Sequence, residues 1–182
     1  ATVLHDGGIC VWDIFEGEIE RMLRPRGGRP RCIAMSPNGS HVVETSEGDP
    51  LSVWNAETGI SDRHLQAHAG FLNAIEMTGD GRRIVGVGTT VNLNVWNFED
   101  RSLTAAHPIH NGFLTDVDIA ADHRTVITGG SADKVLVVDL NDGAILSRPE
   151  RHQSEVTSVA ISTGGRLALS GDENGEIRLW EL

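Results

Sequence analysis

Leu51-Ser52-Val53-Trp54-Asn55 is the stretch that decides the fold. Apolar residues stand three and one before the tryptophan, so the run alternates with period two and ends on a large residue before a turn-former. That reads as a β-strand with one buried face. The pattern returns at Ile9-Cys10-Val11-Trp12-Asp13, Leu93-Asn94-Val95-Trp96-Asn97, Val135-Leu136-Val137-Val138-Asp139 and Ile177-Arg178-Leu179-Trp180-Glu181. The five anchors are 42 residues apart, with Val138 where the others have tryptophan. A fixed period of this length means repeats, and it governs every other reading of the chain.

The rest of each unit keeps the register. A second alternating run recurs at Ile33/Met35, Ile75/Met77, Val117/Ile119 and Val159/Ile161. It leads into Asn38-Gly39, Asp80-Gly81, Asp122-His123 and Gly164-Gly165, pairs expected as two-residue hairpin turns that tolerate positive φ. Short β-rich runs follow at Val42-Val43, Ile84-Val85, Val126-Ile127 and Leu167-Ala168-Leu169. After the anchors come further turns at Glu16-Gly17, Thr58-Gly59, Asp100-Arg101 and Asp142-Gly143. Each unit is therefore an all-β meander of four short strands, with no helix expected. One such sheet cannot bury both faces alone, so neighbouring units must stack face to face.

Composition narrows the rest. The chain has 182 residues, 39% hydrophobic and 23% charged, and a closed core in a chain of that size buries about 70% of the unfolded surface. No run nears the ~18 apolar residues of a membrane span, and no secretory signal pattern opens the sequence. A cytoplasmic location is expected, with no membrane partner. Two cysteines do not make a disulfide scaffold; Cys10 and Cys32 lie in strand patterns without CxxC spacing and read as strand thiols. The net charge of −11 argues against bulk nucleic-acid binding.

Four strands in ~40–45 residues with a Trp-Asp signature resemble the blades of WD-repeat (WD40) β-propellers; kelch units run near ~50 and tetratricopeptide units ~34. Trp12-Asp13 is the family dipeptide; Trp54-Asn55, Trp96-Asn97, Val138-Asp139 and Trp180-Glu181 are relaxed copies. The family's Gly-His pair is half kept at Ala67-His68, Ile109-His110 and Arg151-His152, with Arg26 in the first slot. The resemblance implies a partial blade at 1–13 and repeats at 14–55, 56–97, 98–139 and 140–181. It also implies that the first blade lacks its inner strand and the last its outer strand. About four and a third repeats, against a family range of about 4–8 blades, suggest a piece of a longer propeller chain. The alternative is a short assembly completed by another subunit.

The resemblance further implies a buried hydrogen-bonded set of Asp, His, Ser/Thr and Trp in each blade. The last repeat comes nearest, with His152, Ser170, Asn174 and Trp180; the opening piece keeps Thr2, Asp6 and Trp12. Middle repeats keep Trp54, His68, Trp96, His110 and Thr128, but Thr90 or Ala132 stands for Asp and Gly86 or Glu44 for Ser. A Ser-His-Asp set suggests a nucleophilic triad only if the serine is exposed and faces an oxyanion hole; recurrence in every unit favours a structural role. His68, His110 and His152 lie in different blades and are not expected to share a metal ion, so neither metal nor cofactor is expected. An enzyme would need clustered carboxylates at the central channel, and no recurring acid set is expected there.

Recognition residues remain. Arg21, Arg24, Arg26, Arg29 and Arg31 place five positive charges in a Pro/Gly-interrupted connection, either a solvated loop or a cradle for carboxylate or phosphate. Phe71 and Phe113, also 42 apart, either cap the blade core or face a partner. By resemblance, partner contacts on the top face come from Arg29 and Arg31, Phe71 and Asn73, Phe113 and Thr115, Glu155 and Thr157. The residue before each network Asp slot adds His5, Glu47, Thr89, Ser131 and Glu173. The expected function is a non-enzymatic protein-interaction scaffold that docks a protein or peptide, acidic or phosphorylated. The alternative is a structural module that closes an oligomer or completes the remainder of its own propeller.

Overall fold

The computed structural model describes residues 1–25, 28–46, 51–65, 70–131, 134–149 and 152–182, with only the backbone of 62 and 63. Among these residues there are strands and turns and no helix. The first sheet holds β1 (Thr2–Val3), β2 (Ile9–Asp13) and β3 (Glu18–Leu23). The second holds β4 (Pro30–Met35), β5 (His41–Ser46), β6 (Ser52–Asn55) and β7 (Ser61–His64). The third holds β8 (Leu72–Met77), β9 (Arg83–Gly88), β10 (Asn92–Asn97) and β11 (Leu103–Pro108). The fourth holds β12 (Leu114–Ile119), β13 (Thr125–Gly130), β14 (Val135–Asp139) and β15 (Ile145–Ser147). The fifth holds β16 (Val156–Ile161), β17 (Leu167–Asp172) and β18 (Ile177–Glu181). All pairings are antiparallel between consecutive strands, so each sheet is a meander. This is the arc of an all-β propeller, with the blade-like sheets the 42-residue register implies.

The turns explain the register at atomic level. After the anchors, the Asp or Asn side chain caps its own turn: Asp13 Oδ1 accepts from the amides of Phe15 (2.8 Å) and Glu16 (3.1 Å). Asn55 does so for Thr58 (2.7 Å), Asn97 for Glu99 (2.8 Å) and Asp139 for Asn141 (2.9 Å). Asn and Asp present the same Oδ1 acceptor, so Trp-Asn keeps the turn that Trp-Asp makes. The turns between the first two strands of a unit differ from expectation. They are four-residue loops closed by the Ser36–His41 and Thr78–Arg83 pairs, with positive φ only at Gly39, Gly81, His123 and Gly165. A two-residue type I′ turn needs positive φ twice. Here Asn38, Asp80 and Asp122 stay right-handed, and each accepts a backbone amide two residues on.

Four apolar layers lie between the five sheets. Between the second and third sheets, Val43, Leu51 and Val53 meet Trp96, Ile84 and Leu72. Val85, Leu93 and Val95 meet Val138, Leu136 and Val126 one sheet on. The anchor thus faces the preceding sheet, while the residues three and one before it face the following one. In the middle sheets both faces are buried, not one. Inner strands β4, β8, β12 and β16 pack in sequence. Leu51 is 0% exposed, whereas its counterpart Ile177, with no described sheet beyond it, is 75% exposed.

The stacking gives a direct test. Leu51→Ala should cost about 2–5 kcal/mol in urea unfolding, whereas Ile177→Ala should cost under about 1 kcal/mol. Equal costs would contradict face-to-face burial as the source of stability.

Candidate functional site

The inner strands begin on one rim, where most of the expected partner residues lie. Phe71 and Phe113 are 46% and 40% exposed and immediately precede β8 and β12. Their backbones are fixed: the Thr89 amide donates to Phe71 O (2.8 Å), the Phe71 amide to Thr89 Oγ1 (2.9 Å), and the Ser131 amide to Phe113 O (3.1 Å). Glycine is required opposite, because a Cβ at Gly88 or Gly130 would lie 1.9 Å from Phe71 O or 2.3 Å from Phe113 O. In the fifth sheet the Glu173 amide donates to Glu155 O at 3.0 Å. Slots singled out as contacts therefore also close the tops of their own sheets.

The slots two residues later join neighbouring sheets. Arg31 Nη2 donates to Asn73 Oδ1 (3.3 Å), and Asn73 Nδ2 donates to Leu114 O (2.7 Å). Thr115 Oγ1 donates to Val156 O, continuing the series, and Thr157 Oγ1 donates to Gly171 O (3.2 Å) within its own sheet. Asn73 and Thr115 are half-buried; Arg29, Arg31, Thr157 and Glu173 are exposed. Arg24 is committed to an exposed ion pair with Asp6 (3.0 Å). Glu47, His68 and Arg26 lie outside the described residues.

The last sheet carries the buried polar network. His152 Nε2 lies 2.6 Å from Ser170 Oγ, and Trp180 Nε1 donates to the same oxygen at 2.8 Å. The carboxylate against His152 Nδ1 belongs to Asp172 (3.2 Å), not to the Asn174 side chain. Asn174 supplies its backbone amide to Asp172 Oδ1 (3.0 Å), beside that of Glu176 (2.9 Å). Position 172 corresponds to Gly88 and Gly130, where a carboxylate has no room against the Phe carbonyls. Burial pushes the Asp172 carboxyl up, but the Glu176 amide, His152 and the Asn174 amide hold it below the usual range. Ser170 is 2% exposed and clasped between His152 and Trp180, which is anchoring geometry; a nucleophile needs an open approach.

His152, Asp172 and Glu176 bring three metal-ligating atoms within 4.8 Å of one another. Those of His152 and Asp172 are already spent on the network, so the set serves the sheet. Elsewhere the network is incomplete among the described residues. Thr2 Oγ1 accepts from Trp12 Nε1 (2.8 Å), while Asp6 turns to Gly8 and Arg24. Trp54 Nε1, His110 Nε2 and Thr128 Oγ1 are buried without a hydrogen-bond partner among the described residues, Val138 offering Thr128 no indole N–H. Trp96 is fully buried.

One feature departs from the sequence reading. Glu76 and Asp118 are 42 apart on inner strands β8 and β12, with Asp116 beside them, so one acidic slot does recur. Asp116 Oδ2 accepts from the Val159 amide (2.9 Å) and Ser158 Oγ (3.1 Å), and Asp118 Oδ2 from the Ile161 amide (2.7 Å). These acids satisfy the free edge of the next inner strand. The signal was the 42-residue spacing itself, masked because Ala34 and Ala160 fill the same slot. Burial first, then the charges of Asp118 and Asp116, push Glu76 above the usual glutamate range.

Two outcomes follow for stability. Ser170→Ala and Asp172→Asn should each cost about 1–3 kcal/mol in chemical denaturation at neutral pH, with little change for the Asn174→Ala variant. Because the folded-state Asp172 value is depressed, its stabilisation is present above the ordinary carboxyl range and is lost as the pH falls through the folded value. Glu76→Gln should do the opposite. Its raised folded value makes ionisation destabilising, so the variant gains stability at neutral pH, and the gain fades toward and below the ordinary glutamate range.

Comparison with known proteins agrees with this architecture. Residues 143–181 match the family model described as WD domain, G-beta repeat. No curated protein matches the chain. The matched segment begins in the turn before β15 and runs through β16, β17 and β18, the sheet that carries the most complete polar network. The chain is thus similar to WD-repeat proteins, by family model in its last repeat and by sheet architecture and register throughout.

Proposed function

We propose that the chain is a non-enzymatic interaction platform that docks an acidic or phosphorylated peptide on the rim where the inner strands begin. The observation that carries the reading is the run of exposed side chains on successive sheets: Arg29 and Arg31 at the start of β4, Phe71 before β8 and Phe113 before β12. Guanidinium groups take carboxylate or phosphate through paired hydrogen bonds, and an exposed aromatic buries an apolar side chain. Arg and aromatic residues dominate interface hot spots. Asn73, bonded to Arg31 on one side and to Leu114 O on the other, keeps these sheets in fixed relation. The interaction role rests on likeness to WD-repeat proteins; the ligand chemistry rests on these side chains.

A second reading has its own support. Leu169, Ile177 and Leu179 are exposed on the last sheet, while their counterparts Val43, Leu51 and Val53 are buried by the next sheet. That face suits another blade, from the remainder of the same propeller or from another subunit. Light scattering decides this: a stable monomer mass argues against closure between copies.

The docking reading is tested by fluorescence polarisation with a phosphoserine peptide that carries a leucine. Arg29→Ala and Arg31→Ala should each weaken binding about tenfold and flatten its salt dependence; Phe71→Ala and Phe113→Ala should weaken it about as much at unchanged salt slope. If both phenylalanine variants lose stability but keep affinity, the rings are core caps and the reading fails.

A further inference from the structure

On the opposite rim, where β4 turns into β5 and β8 into β9, a cleft of about 340 Å³ opens between the second and third sheets. Its walls are the Ser36–His41 turn, the Gly79–Gly81 turn and the Phe98 ring. The repeat shows how the same place is filled one sheet on. There Arg83, the counterpart of His41, crosses to the fourth sheet, donating through Nη2 to His123 O and through Nη1 to Asn141 Oδ1 (2.9 Å). The His123 ring also lies over Gly79, where a Cβ would come within 2.7 Å of it.

Between the second and third sheets all three parts change. His41 replaces the arginine and is tied back, with Nδ1 2.7 Å from Ser40 Oγ and its ring edge-on to Phe98 at 5.4 Å. Gly81 replaces His123, leaving the carbonyl slot but no ring. Glu99 replaces Asn141, so the side-chain acceptor becomes a carboxylate. Asp80, the counterpart of Asp122 one sheet on, lines the cleft with a carboxylate, its Oδ1 fixed by Thr78 Oγ1 (2.6 Å) and the Arg82 amide (3.0 Å). The cleft therefore keeps the carbonyl slot and the turn carboxylate of a guanidinium site beside an aromatic wall, with Glu99 next to Phe98 at the position of Asn141, and its lining holds no guanidinium.

We propose that this cleft is a docking site for an arginine side chain of a partner protein. Paired donors meet the carbonyl and carboxylates, and the planar cation lies against Phe98. The chain's net charge of −11 favours approach of a basic partner.

The probe is the peptide acetyl-Gly-Arg-Gly-amide, titrated into the full chain to about 10 mM, the range expected for a single anchoring side chain, and followed by amide NMR shifts. Shifts should concentrate at His41, Asp80, Gly81 and Phe98. The citrulline peptide, equal in shape but uncharged, should bind at least about tenfold more weakly. Asp80→Asn and Glu99→Gln should each weaken binding. His41→Arg should abolish it by supplying the guanidinium from within, as Arg83 does next door, while retaining a dispersed folded spectrum. Arg29→Ala should leave binding unchanged, separating this site from the opposite rim. Equal binding of the citrulline peptide, scattered shifts, or full binding by folded His41→Arg protein would overturn the proposal.

Discussion

Every sheet of this molecule has two faces and too few strands to bury either alone. The interaction on which the structure depends is the packing of one sheet's Leu51- and Val53-type residues against the next sheet's anchor. Burial of a side chain such as Leu51 or Trp96 is worth about 1.5–3 kcal/mol, and it is delivered only by a neighbour. Stability is therefore approximately a sum over adjacent sheets, as in other repeat architectures. The same logic explains why β18 carries Ile177 and Leu179 in the open: their type was chosen by the repeat, and their exposure by what stands beside them.

That dependence determines what each slot tolerates. The anchor needs bulk toward the preceding sheet, so Val138 is accepted where Leu136 also fills the layer. The following residue needs an acceptor for the turn amides, so Asp and Asn interchange at 13, 55, 97 and 139. Backbone chemistry is held more firmly than side-chain identity. Left-handed φ recurs at the same turn positions even where the residue is His123 or Arg101 instead of glycine.

The architecture was legible because periodicity is an additive signal: the register of apolar residues, turns and anchors repeats across the chain, and single drifted positions do not erase it. The site was less legible, because its chemistry depends on contacts that a slot-by-slot reading does not contain. Asn174 occupies the familiar acid position, yet Asp172 reaches His152, since that sheet does not carry at position 172 the glycine that Phe71 and Phe113 impose at 88 and 130. Likewise the acidic slot of Glu76 and Asp118 is interrupted by Ala34 and Ala160. Asp116 and Asp118 take edge amides of the adjoining inner strand, a contact that only the packed sheets contain.

The two rims divide the work between holding sheets together and leaving groups for recognition. On the rim where inner strands begin, Asn73 and Thr115 are drawn into bonds with neighbouring sheets, so the phenylalanines and Arg29 stand forward of a braced row. On the other rim, the bond from Arg83 to His123 O and Asn141 braces one interface, and its absence leaves the neighbouring interface open. A repeat protein acquires a binding cleft cheaply in this way. Where one unit has no bracing side chain but keeps the acceptors, the opening offers the polarity that a guanidinium meets one sheet on.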